Sequence, residues 1–385
     1  MTALVQTILS PMTGAAPTCS LKWEDIQWPT VDKHVNRLQM RIAKAMRLGR
    51  VGKAKALQRI LTHSFYGKCL SVKRIVLNKG AKTSGVDKVL WRTPQQRMKG
   101  VMALKRRGYK PQPLKRIYIP KKGGKLRPLS IPTMADRAMQ SLWKLALEPI
   151  CEEQADPNTY GFRPKRSAAD ALDQCFIVLS RKQSAHWILE GDIKSCFDKI
   201  SHDWLLNNIP MDKKILGKFL KAGFMDKGSC YPTEEGTPQG GIISPTLAVM
   251  TLTGLEAAIR KRFKRGSKVN TIFYADDFII TGPNRELLEN EIKPLVEDFL
   301  QERGLELSPE KTTICHIDEG FDFLGFNIRK YKGKFLSKPS TESLRRFLAG
   351  IRKDIKSLRG ASTDKIILTL NHMNGLGKSN TARSV

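Results

Sequence analysis

Two adjacent carboxylates, Asp276 and Asp277, interrupt an apolar and aromatic stretch at residues 271–280. The apolar runs on either side lack clean alternation, which predicts two short strands that are covered on both faces. The acids then lie at the tight turn of a hairpin. Buried charges are costly unless they are compensated, and hard divalent cations take carboxylate oxygens. The stretch therefore predicts a metal site, with an ordinary solvated Asp-Asp turn as the alternative.

Two further stretches carry groups that could act with this acidic pair. Residues 187–200 read as a strand that ends on Asp192, followed five residues later by Phe197. Residues 236–245 form a Gly-Thr-Pro-Gln-Gly-Gly loop and its continuation. The glycines let the backbone approach a ligand closely, and the Gln239 amide can pair with a base or hold a strand.

A basic hairpin is predicted at residues 116–132, where two β-rich runs flank a Lys-Gly-Gly-Lys turn. Folding of this hairpin can bring Lys121 and Arg127 to one side. Two cations in that position could hold a polyphosphate. The alternative is a surface hairpin with solvated charges, and the hairpin alone does not decide between them.

The charge balance of the chain indicates a polyanionic partner. The 385 residues include 67 Lys plus Arg against 36 Asp plus Glu, a net charge of +31, with a pI of about 10.0. Such a surplus most simply indicates nucleic acid. A membrane surface is the weaker alternative, because the basic residues are spread along the chain and not gathered on one amphipathic helix.

The seven cysteines are scattered, and no Cys-x-x-Cys occurs. This pattern argues against a zinc ribbon and suggests reduced thiols in a cytosol. The first twenty residues contain no Lys or Arg, so they lack the basic start of a signal peptide, and no apolar run is long enough to span a bilayer. We expect a cytoplasmic protein without a membrane partner, and the sequence does not specify an oligomeric state.

Helices are predicted around these stretches. A basic helical hairpin opens the ordered chain, with apolar stripes at Val35, Leu38 and Ile42 and again between residues 54 and 65. RNA contact is its favoured role over simple solvation. Further helices are expected at residues 95–107, 135–150, 245–263, 284–303 and 339–358. Ser167 and Ser201 are predicted N-caps, and His202 is expected to be structural.

Two inward faces are part of these predictions. In the helix at residues 95–107, Val101, Met102 and Leu104 are expected to face the core. In the helix at residues 339–358, five apolar residues are expected to face inward, and part of that face to lack a cover. These residues are Leu344, Phe347, Leu348, Ile351 and Ile355.

Taken in order, these motifs resemble a reverse transcriptase, and specifically that of bacterial group II introns. The order is basic hairpin, strand ending in Asp, Pro-Gln-Gly loop, Tyr-Ala-Asp-Asp hairpin, Ser-Pro-Glu-Lys turn and Phe-Leu-Gly-Phe hairpin. The Thr-Ser-Gly-Val-Asp motif at residues 83–87 and the Gly-Phe-Arg-Pro motif at residues 161–164 resemble flanking motifs of the group II proteins. The resemblance extends over residues 23–370.

The resemblance implies a two-metal site for nucleotidyl transfer, with two Mg²⁺ ions or possible Mn²⁺ substitutes about 3.5–4 Å apart. Asp192 and Asp276 are then the bridging ligands and Asp277 assists. The backbone carbonyl of Ile193 completes one coordination sphere. We expect Asp276 to be indispensable and Asp277 to be supporting.

The resemblance also implies roles in nucleotide binding. Lys121 and Arg127 neutralise the triphosphate, and Phe197 lies under the sugar and excludes a 2′-hydroxyl. Gln239 orders the pair between template and nucleotide. Lys311 protonates pyrophosphate, with a solvated turn lysine as the alternative.

Primer and template contacts are implied for four residues. Leu324 and Gly325 lie in the Phe-Leu-Gly-Phe hairpin beside the primer end, and Arg163 lies in the Gly-Phe-Arg-Pro loop. Tyr274 touches the primer, with aromatic packing under the hairpin as an equal alternative.

The implied fold is an α+β right-hand polymerase with an antiparallel palm sheet. The predicted parts are a disordered arm (1–20), an N-terminal helical extension (21–78), fingers (79–184), palm (185–334), a partial thumb or maturase region (335–370) and a divergent tail (371–385). The tail departs from the group II pattern, in which a longer thumb follows, and we expect a C-terminally truncated member.

The expected function is RNA-directed DNA polymerisation by a protein of a mobile element. Its partners are an RNA template, expected to be group II intron RNA, a DNA primer and dNTPs. An RNA-binding maturase that assists splicing is the alternative, as is an inactive truncated remnant. An RNA-templated RNA polymerase is disfavoured, because a bulky Phe197 opposes ribose.

Overall fold

The computed structural model describes residues 22–120, 126–264, 266–369 and 371. Its principal helices follow one another along the whole of this range. They are α1 (Trp28–Arg47), α2 (Val51–His63), α3 (Phe65–Leu77), α4 (Pro94–Ala103), α5 (Met134–Gln154), α6 (Ala168–Leu179), α7 (Cys196–Lys199), α8 (His202–Asn208), α9 (Lys213–Leu220), α10 (Ser244–Leu252), α11 (Leu255–Arg262), α12 (Arg285–Leu287), α13 (Lys293–Gln301) and α14 (Thr341–Ser357).

Three small sheets separate these helices, with strand orders β2-β1-β4-β5, β6-β7-β3-β8 and β11-β10-β9. All pairings are antiparallel except the short one between β1 and β4. The strands are β1 (Leu114–Pro120), β2 (Leu126–Ile131), β3 (Trp187–Asp192), β4 (Phe224–Asp226), β5 (Ser229–Tyr231), β6 (Thr271–Tyr274), β7 (Asp277–Gly282), β8 (Thr313–His316), β9 (Phe321–Phe323), β10 (Phe326–Tyr331) and β11 (Lys334–Pro339). The α+β class with antiparallel sheets is confirmed.

The central sheet, β6-β7-β3-β8, is covered on both faces as the sequence predicts. Ile188 and Leu189 point to opposite faces of β3, and both are fully buried. Ile279 and Ile280 do the same in β7. Because both faces are buried, a slip of one residue would only move apolar side chains from one buried face to the other, so burial alone does not fix the register. The register of β6 against β7 therefore depends on the tight turn between them.

The N-terminal helices pack on α5 through the predicted stripe of α1. Val31, Val35 and Ile42 are fully buried. The predicted two-helix hairpin is a three-helix unit, because Ser64 ends α2 and its hydroxyl accepts a hydrogen bond from the Gly67 amide, 3.0 Å away, to begin α3. The stripe across residues 54–65 therefore belongs to two helices.

The predicted caps are confirmed. The Ser167 hydroxyl accepts from the Asp170 amide at the start of α6, and the Ser201 hydroxyl accepts from the Trp204 amide at the start of α8. The His202 ring is buried, and its Nε2 atom lies 2.7 Å from the carbonyl oxygen of Gly236. This contact ties α8 to the Pro-Gln-Gly loop and fits the structural role expected for the histidine.

Three helix predictions are adjusted. The single helix expected at residues 245–263 is divided into α10 and α11, which Gly254 separates at a φ of 99°. Helix α4 ends at Ala103, and Met102 is exposed whereas Val101 and Leu104 are buried. The helix expected at residues 284–303 contains a π-helical turn, Leu288–Ile292, just before Pro294. A π-turn is a common accommodation where the ordinary ladder is interrupted, and proline supplies no amide to that ladder.

The apolar stripe of α14 faces outward in part. Leu344, Phe347, Leu348 and Ile355 are each about half exposed. Within the part of the chain that the structure describes, these four residues do not pack inward, which agrees with the expectation that part of this face lacks a cover. A second helical segment at 363–369 follows. None of the helices in the described ranges combines the length and apolarity needed to cross a membrane. The predicted arm at 1–20 and nearly all of the tail at 371–385 lie outside the described residues.

Candidate active site

The Asp276–Asp277 pair lies at a two-residue hairpin turn. Tyr274 pairs with Asp277 across β6 and β7, so Ala275 and Asp276 form the connection. Ala275 has a φ of 58°, a left-handed conformation that is uncommon for residues other than glycine. Two-residue hairpins often require such a conformation because it matches the twist of the strands. The turn leaves Asp276 at its tip and Asp277 as the first residue of β7.

Asp192 lies beside this turn because β3 pairs with β7 in a register that sets Asp192 opposite Asp277. The amide of Ile193 donates to the carbonyl oxygen of Asp276 over 3.1 Å, which attaches the chain after β3 to the turn. Three carboxylates from two separate segments thus converge, as the resemblance implies.

Mutual repulsion and burial make these carboxylates difficult to ionise together. Burial raises the pKa of Asp277 to about 6, with further contributions from the charges of Asp276 and Asp192. Burial also raises the pKa of Asp276, and the charge of Asp192 acts in the same direction. Like charges that share a site favour protonation, so a cation placed among them would be strongly favoured.

Lys311 supplies one such cation. Its Nζ atom donates to Asp192 Oδ2 over 2.6 Å. Burial opposes the charged form, but the hydrogen bond and charge of Asp192 outweigh it and raise the pKa of Lys311. The lysine belongs to the Ser-Pro-Glu-Lys turn, where its amide donates to the Ser308 carbonyl over 3.1 Å. Lys311 is therefore not a simple solvated lysine.

Asp192, Asp276 and Asp277 are chemically suited to bind a divalent cation. They supply the hard oxygen donors that Mg²⁺ and Mn²⁺ take, and the ammonium of Lys311 already occupies an oxygen of Asp192 as a cation would. Among the side chains of the described residues, no group of three His, Cys, Asp or Glu is preassembled in a metal-binding arrangement.

A second polar cluster joins the basic hairpin to the Pro-Gln-Gly loop. Arg127 Nε donates to Gln239 Oε1 over 2.7 Å, and Gln239 Nε2 donates to Asp198 Oδ2 over 2.8 Å. Burial raises the pKa of Asp198, against the opposing effect of its bond to Gln239. Sequence reasoning missed Asp198, although it directly follows Phe197. Lys121, the other predicted triphosphate ligand, lies outside the described residues.

We predict that Gln239→Ala raises the KM for dNTPs about tenfold, with a smaller change in kcat, because Arg127 loses the acceptor that orients it. Gln239→Glu should be more damaging, since a carboxylate would face Asp198 without a donor between them. Steady-state kinetics of both variants check this, with Gln95→Ala on the exposed side of α4 as the control. Equal KM values in the three proteins would remove Gln239 from nucleotide binding.

Phe197 projects from the one-turn helix α7, which begins after Ser195 at a φ of 48°. Its ring meets the ring of Phe162 edge to face, with centroids 5.6 Å apart and planes at 72°. Both rings line a small cavity together with Asp276. Phe162 was not singled out by sequence reasoning, although it lies in the Gly-Phe-Arg-Pro motif.

Gly161, the first residue of that motif, abuts the Ala275–Asp276 turn between β6 and β7. A Cβ atom placed on Gly161 would lie 2.2 Å from the Ala275 amide nitrogen and 2.9 Å from the Ala275 Cα. Such distances are far inside van der Waals contact, so only glycine allows this approach.

Arg163 corrects the sequence prediction. Its guanidinium is buried, forms an ion pair with Glu152 at 3.0 Å, and donates to the carbonyl oxygens of Asp156 and Thr159. A side chain with these internal partners anchors its own loop and is not available for primer or template. A buried arginine is retained in proteins when it is paired and hydrogen bonded in this way.

Leu324 and Gly325 form the two-residue turn between β9 and β10, at φ values of 51° and 85°. They border an open cavity of about 560 Å³ that Asp192, Asp277 and Lys311 also line. The turn therefore faces the carboxylates across a space that can admit a strand end. Tyr274 is half-buried and packs against the hydrophobic cluster around Ile272, which supports the packing alternative.

Glu190 also lines this cavity and was missed by sequence reasoning. Burial raises its pKa to about 7, and the charges of Asp322 and Asp277 add to the effect. A signal was present, because Glu190 lies two residues before Asp192 in β3 and so shares its face.

Converging carboxylates with a cation beside them are the arrangement typical of a nucleotidyltransferase site. The family model described as reverse transcriptase (RNA-dependent DNA polymerase) matches residues 119–328. The model of the N-terminal domain of reverse transcriptase matches residues 23–104. The first match alone spans more than half of the chain, and the chain belongs to the reverse transcriptase family. The expected right-hand polymerase fold class is confirmed by this membership.

Individual relatives agree with this assignment. The chain is 32% identical over 329 residues to Protein YkfC of Escherichia coli (strain K12), covering 72% of this chain and 86% of that protein. It is 32% identical over 320 residues to the group II intron-encoded protein LtrA of Lactococcus lactis subsp. cremoris, covering 66% of this chain and 53% of LtrA. The chain thus spans about half the length of LtrA. The resemblance to group II intron reverse transcriptases is confirmed.

Among solved structures, the chain is similar to apo telomerase from Candida Tropicalis. The TM-score is 0.47 at 12% identity, and the superposed part covers 62% of this chain and 49% of that one.

Proposed function

We propose that the protein is an RNA-directed DNA polymerase of the group II intron type. The observation that carries the proposal is the register of β3 and β7, which sets Asp192 opposite Asp277 beside the turn of Asp276. A site of this kind transfers a nucleotide from a dNTP to the 3′ end of a primer on an RNA template. Family membership supports the reaction class.

We further propose that Asp192, Asp276 and Asp277, with the Ile193 carbonyl, hold two Mg²⁺ ions, for which Mn²⁺ can substitute. Bound metal there would neutralise the developing charge on the attacking and leaving oxygens. The raised pKa of Asp277, which burial and its acidic neighbours cause, supports a site that gains from added positive charge.

The chain's own residues bind and select the nucleotide. Arg127, held by Gln239, pairs with triphosphate oxygens through its guanidinium, and Lys121 is proposed to add a second cation. Phe197 excludes a 2′-hydroxyl by its bulk. Lys311, charged and next to Asp192, is placed to give a proton to the leaving pyrophosphate.

Primer and template are proposed to enter along the open cavity. Leu324 and Gly325 are proposed to support the primer end from the β9–β10 turn. RNA is the proposed template, and the surplus of Lys and Arg residues supports a polyanionic partner. A cytoplasmic location and the part boundaries given above remain predictions from the sequence.

RNA binding should depend steeply on salt. Each phosphate neutralised on a single strand contributes about 0.7 to the slope of log affinity against log salt, so contact with on the order of ten phosphates gives a slope near −7. Filter binding of a primed RNA template between low and physiological salt measures it. Binding that hardly changes with salt would contradict an electrostatic mode.

A maturase role is the second candidate, favoured by the relation to a group II intron-encoded protein and to "Maturase-like protein 1" of Euglena gracilis. Such a function needs RNA binding and no catalytic carboxylates. Splicing assays of group II intron RNA with wild type and Asp276→Ala separate the two roles, because only polymerisation requires Asp276. An inactive remnant would fail in both assays.

The polymerase proposal is tested by metal dependence. Purified protein is treated with EDTA and supplied with a primed RNA template and dNTPs, and Mg²⁺ is then added back. Extension should be absent before the addition and restored by it. Extension that persists in excess EDTA would contradict the proposed metal site.

A further inference from the structure

The loop at residues 156–166 contacts two parts of the candidate active site through consecutive residues. Gly161 abuts the Ala275–Asp276 turn, and the Phe162 ring abuts the ring of Phe197. We propose that this loop positions Phe197, so that Phe162 is a specificity-determining residue for the sugar of the incoming nucleotide. The inference rests on the proposed function, because it assumes that Phe197 faces that sugar.

The Phe162 contact restrains the ring of Phe197 rather than its backbone. Helix α7 has four residues and begins after a left-handed Ser195, and the Thr237 amide already holds its backbone by donating to the Phe197 carbonyl oxygen. The ring of Phe197 is only partly buried. An edge-to-face contact at 5.6 Å restricts where the ring can rotate, which is what a steric gate against a 2′-hydroxyl requires.

Phe162 is held in a conformation that it would not adopt unaided. Its φ is 60°, although it is a bulky aromatic residue, and 45% of its surface stays exposed. A non-glycine residue at positive φ is strained and persists only where its surroundings enforce it. The strained backbone is therefore not explained by burial of the Phe162 ring, because that ring remains partly in solvent. What the conformation does provide is the contact between the Phe162 ring and the Phe197 ring.

The surroundings that enforce it are the anchors of the loop. Arg163 binds Glu152 and two loop carbonyls. The backbone pairs with β6, since the Tyr160 amide donates to the Phe273 carbonyl and the Phe273 amide donates to the Asn158 carbonyl, each over 2.9 Å. These bonds attach the loop to the strand that carries the catalytic turn. The loop thereby sets the distance between Phe197 and Asp276.

The test compares sugar selectivity in Phe162→Ala with wild type. The ratio of kcat/KM for a dNTP to that for the matching rNTP should fall by about two- to tenfold, the range that an edge-to-face ring pair supplies. Phe162→Tyr keeps the ring and should restore the ratio. Phe162→Gly removes the ring without leaving a side chain at positive φ, so a lower ratio in both Phe162→Ala and Phe162→Gly cannot be attributed to backbone strain at this position.

Phe176→Ala is the matched control. Phe176 forms a similar edge-to-face pair with Phe335 at 5.4 Å and 83°, and is 56% exposed, but it lies on α6 outside the cavity of Phe197. Its ratio should stay at the wild-type value. Phe197→Ala reports the full effect of losing the gate.

The outcomes separate the two claims. If wild type extends primers, Phe197→Ala admits rNTPs and Phe162→Ala and Phe162→Gly keep the wild-type ratio, the positioning role is overturned while the polymerase function stands. If Phe197→Ala leaves selectivity unchanged, the gate and its positioning are both overturned. If wild type extends no primer with dNTPs, the proposed function fails and the inference fails with it.

Discussion

Asp192→Asn is expected to lower the rate of dNTP incorporation by about 1,000-fold or more, because it removes the charge of a proposed ligand of both metal ions, in a site where charge stabilisation carries the catalysis. Folding should survive. Asp192 contributes to the repulsion that helps raise the pKa of Asp277 to about 6, so its neutralisation relieves like-charge repulsion. The same change weakens the ion pair with Lys311, whose side chain is 56% exposed, so that loss is small. The unfolding temperature should therefore change little. Single-turnover kinetics and thermal unfolding measure the two effects.

Asp277→Asn should lose only about tenfold, since it removes an assisting ligand and leaves the bridging ones in place. The control is Asp173→Asn on the exposed side of α6, which should match wild type. Equal losses in Asp192→Asn and Asp277→Asn would contradict the asymmetry among the three carboxylates.

Gly161→Ala is expected to lower incorporation by about 100-fold, although it adds one methyl group outside the carboxylate cluster. The new Cβ would lie 2.2 Å from the Ala275 nitrogen, and backbone atoms cannot rotate away. The turn must move, and a shift of about 1 Å in a reacting group can cost on the order of 100-fold in rate. Crowding of this kind also destabilises a fold by about 1–3 kcal/mol, so thermal unfolding is measured in parallel.

Gly52→Ala is the matched control for that variant, because a Cβ at Gly52 meets nothing within 4 Å. Its position inside α2 makes alanine neutral or slightly stabilising. Wild-type incorporation by Gly161→Ala would show that the loop does not set the position of the catalytic turn.

The elements that hold the catalytic carboxylates were predictable because their signals are local. Apolar runs on both sides of Asp276–Asp277 indicated two covered strands with both acids at a tight turn, whereas the structure places Asp276 in the turn and Asp277 in β7. The chain after Trp187 indicated a strand that ends at Asp192. The pairing of β3 with β7, which sets Asp192 opposite Asp277, joins distant parts of the chain. No local signal indicates this pairing, and only the family resemblance implied that the carboxylates meet.

The loop at residues 156–166 was misread because its partners are distant or internal. The resemblance implied a primer or template contact for Arg163, yet its guanidinium pairs with Glu152 and donates to carbonyl oxygens of its own loop. Sequence cannot distinguish a solvated arginine from a buried, paired one. The contact of Gly161 with Ala275 joins residues more than 100 positions apart, so nothing nearby in the sequence could indicate it.

Helix α14 shows a different limit of pattern reasoning. Its apolar stripe is real, but a stripe predicts only that burial is favourable and not what covers it. In the described part of the chain the stripe stays half exposed. The periodicity therefore predicted the helix and its apolar face, and the exposure agrees with the expectation that part of this face lacks a cover.

The most direct test of the central claim is primer extension on an RNA template with dNTPs and Mg²⁺, run with wild type and Asp276→Ala purified in parallel. Asp276 occupies the tip of the hairpin turn, where its side chain joins Asp192 and Asp277. The expected result is full-length product with wild type and none with the variant. Equal product from both proteins, or no product from either, would contradict the assignment of this site as the polymerase centre.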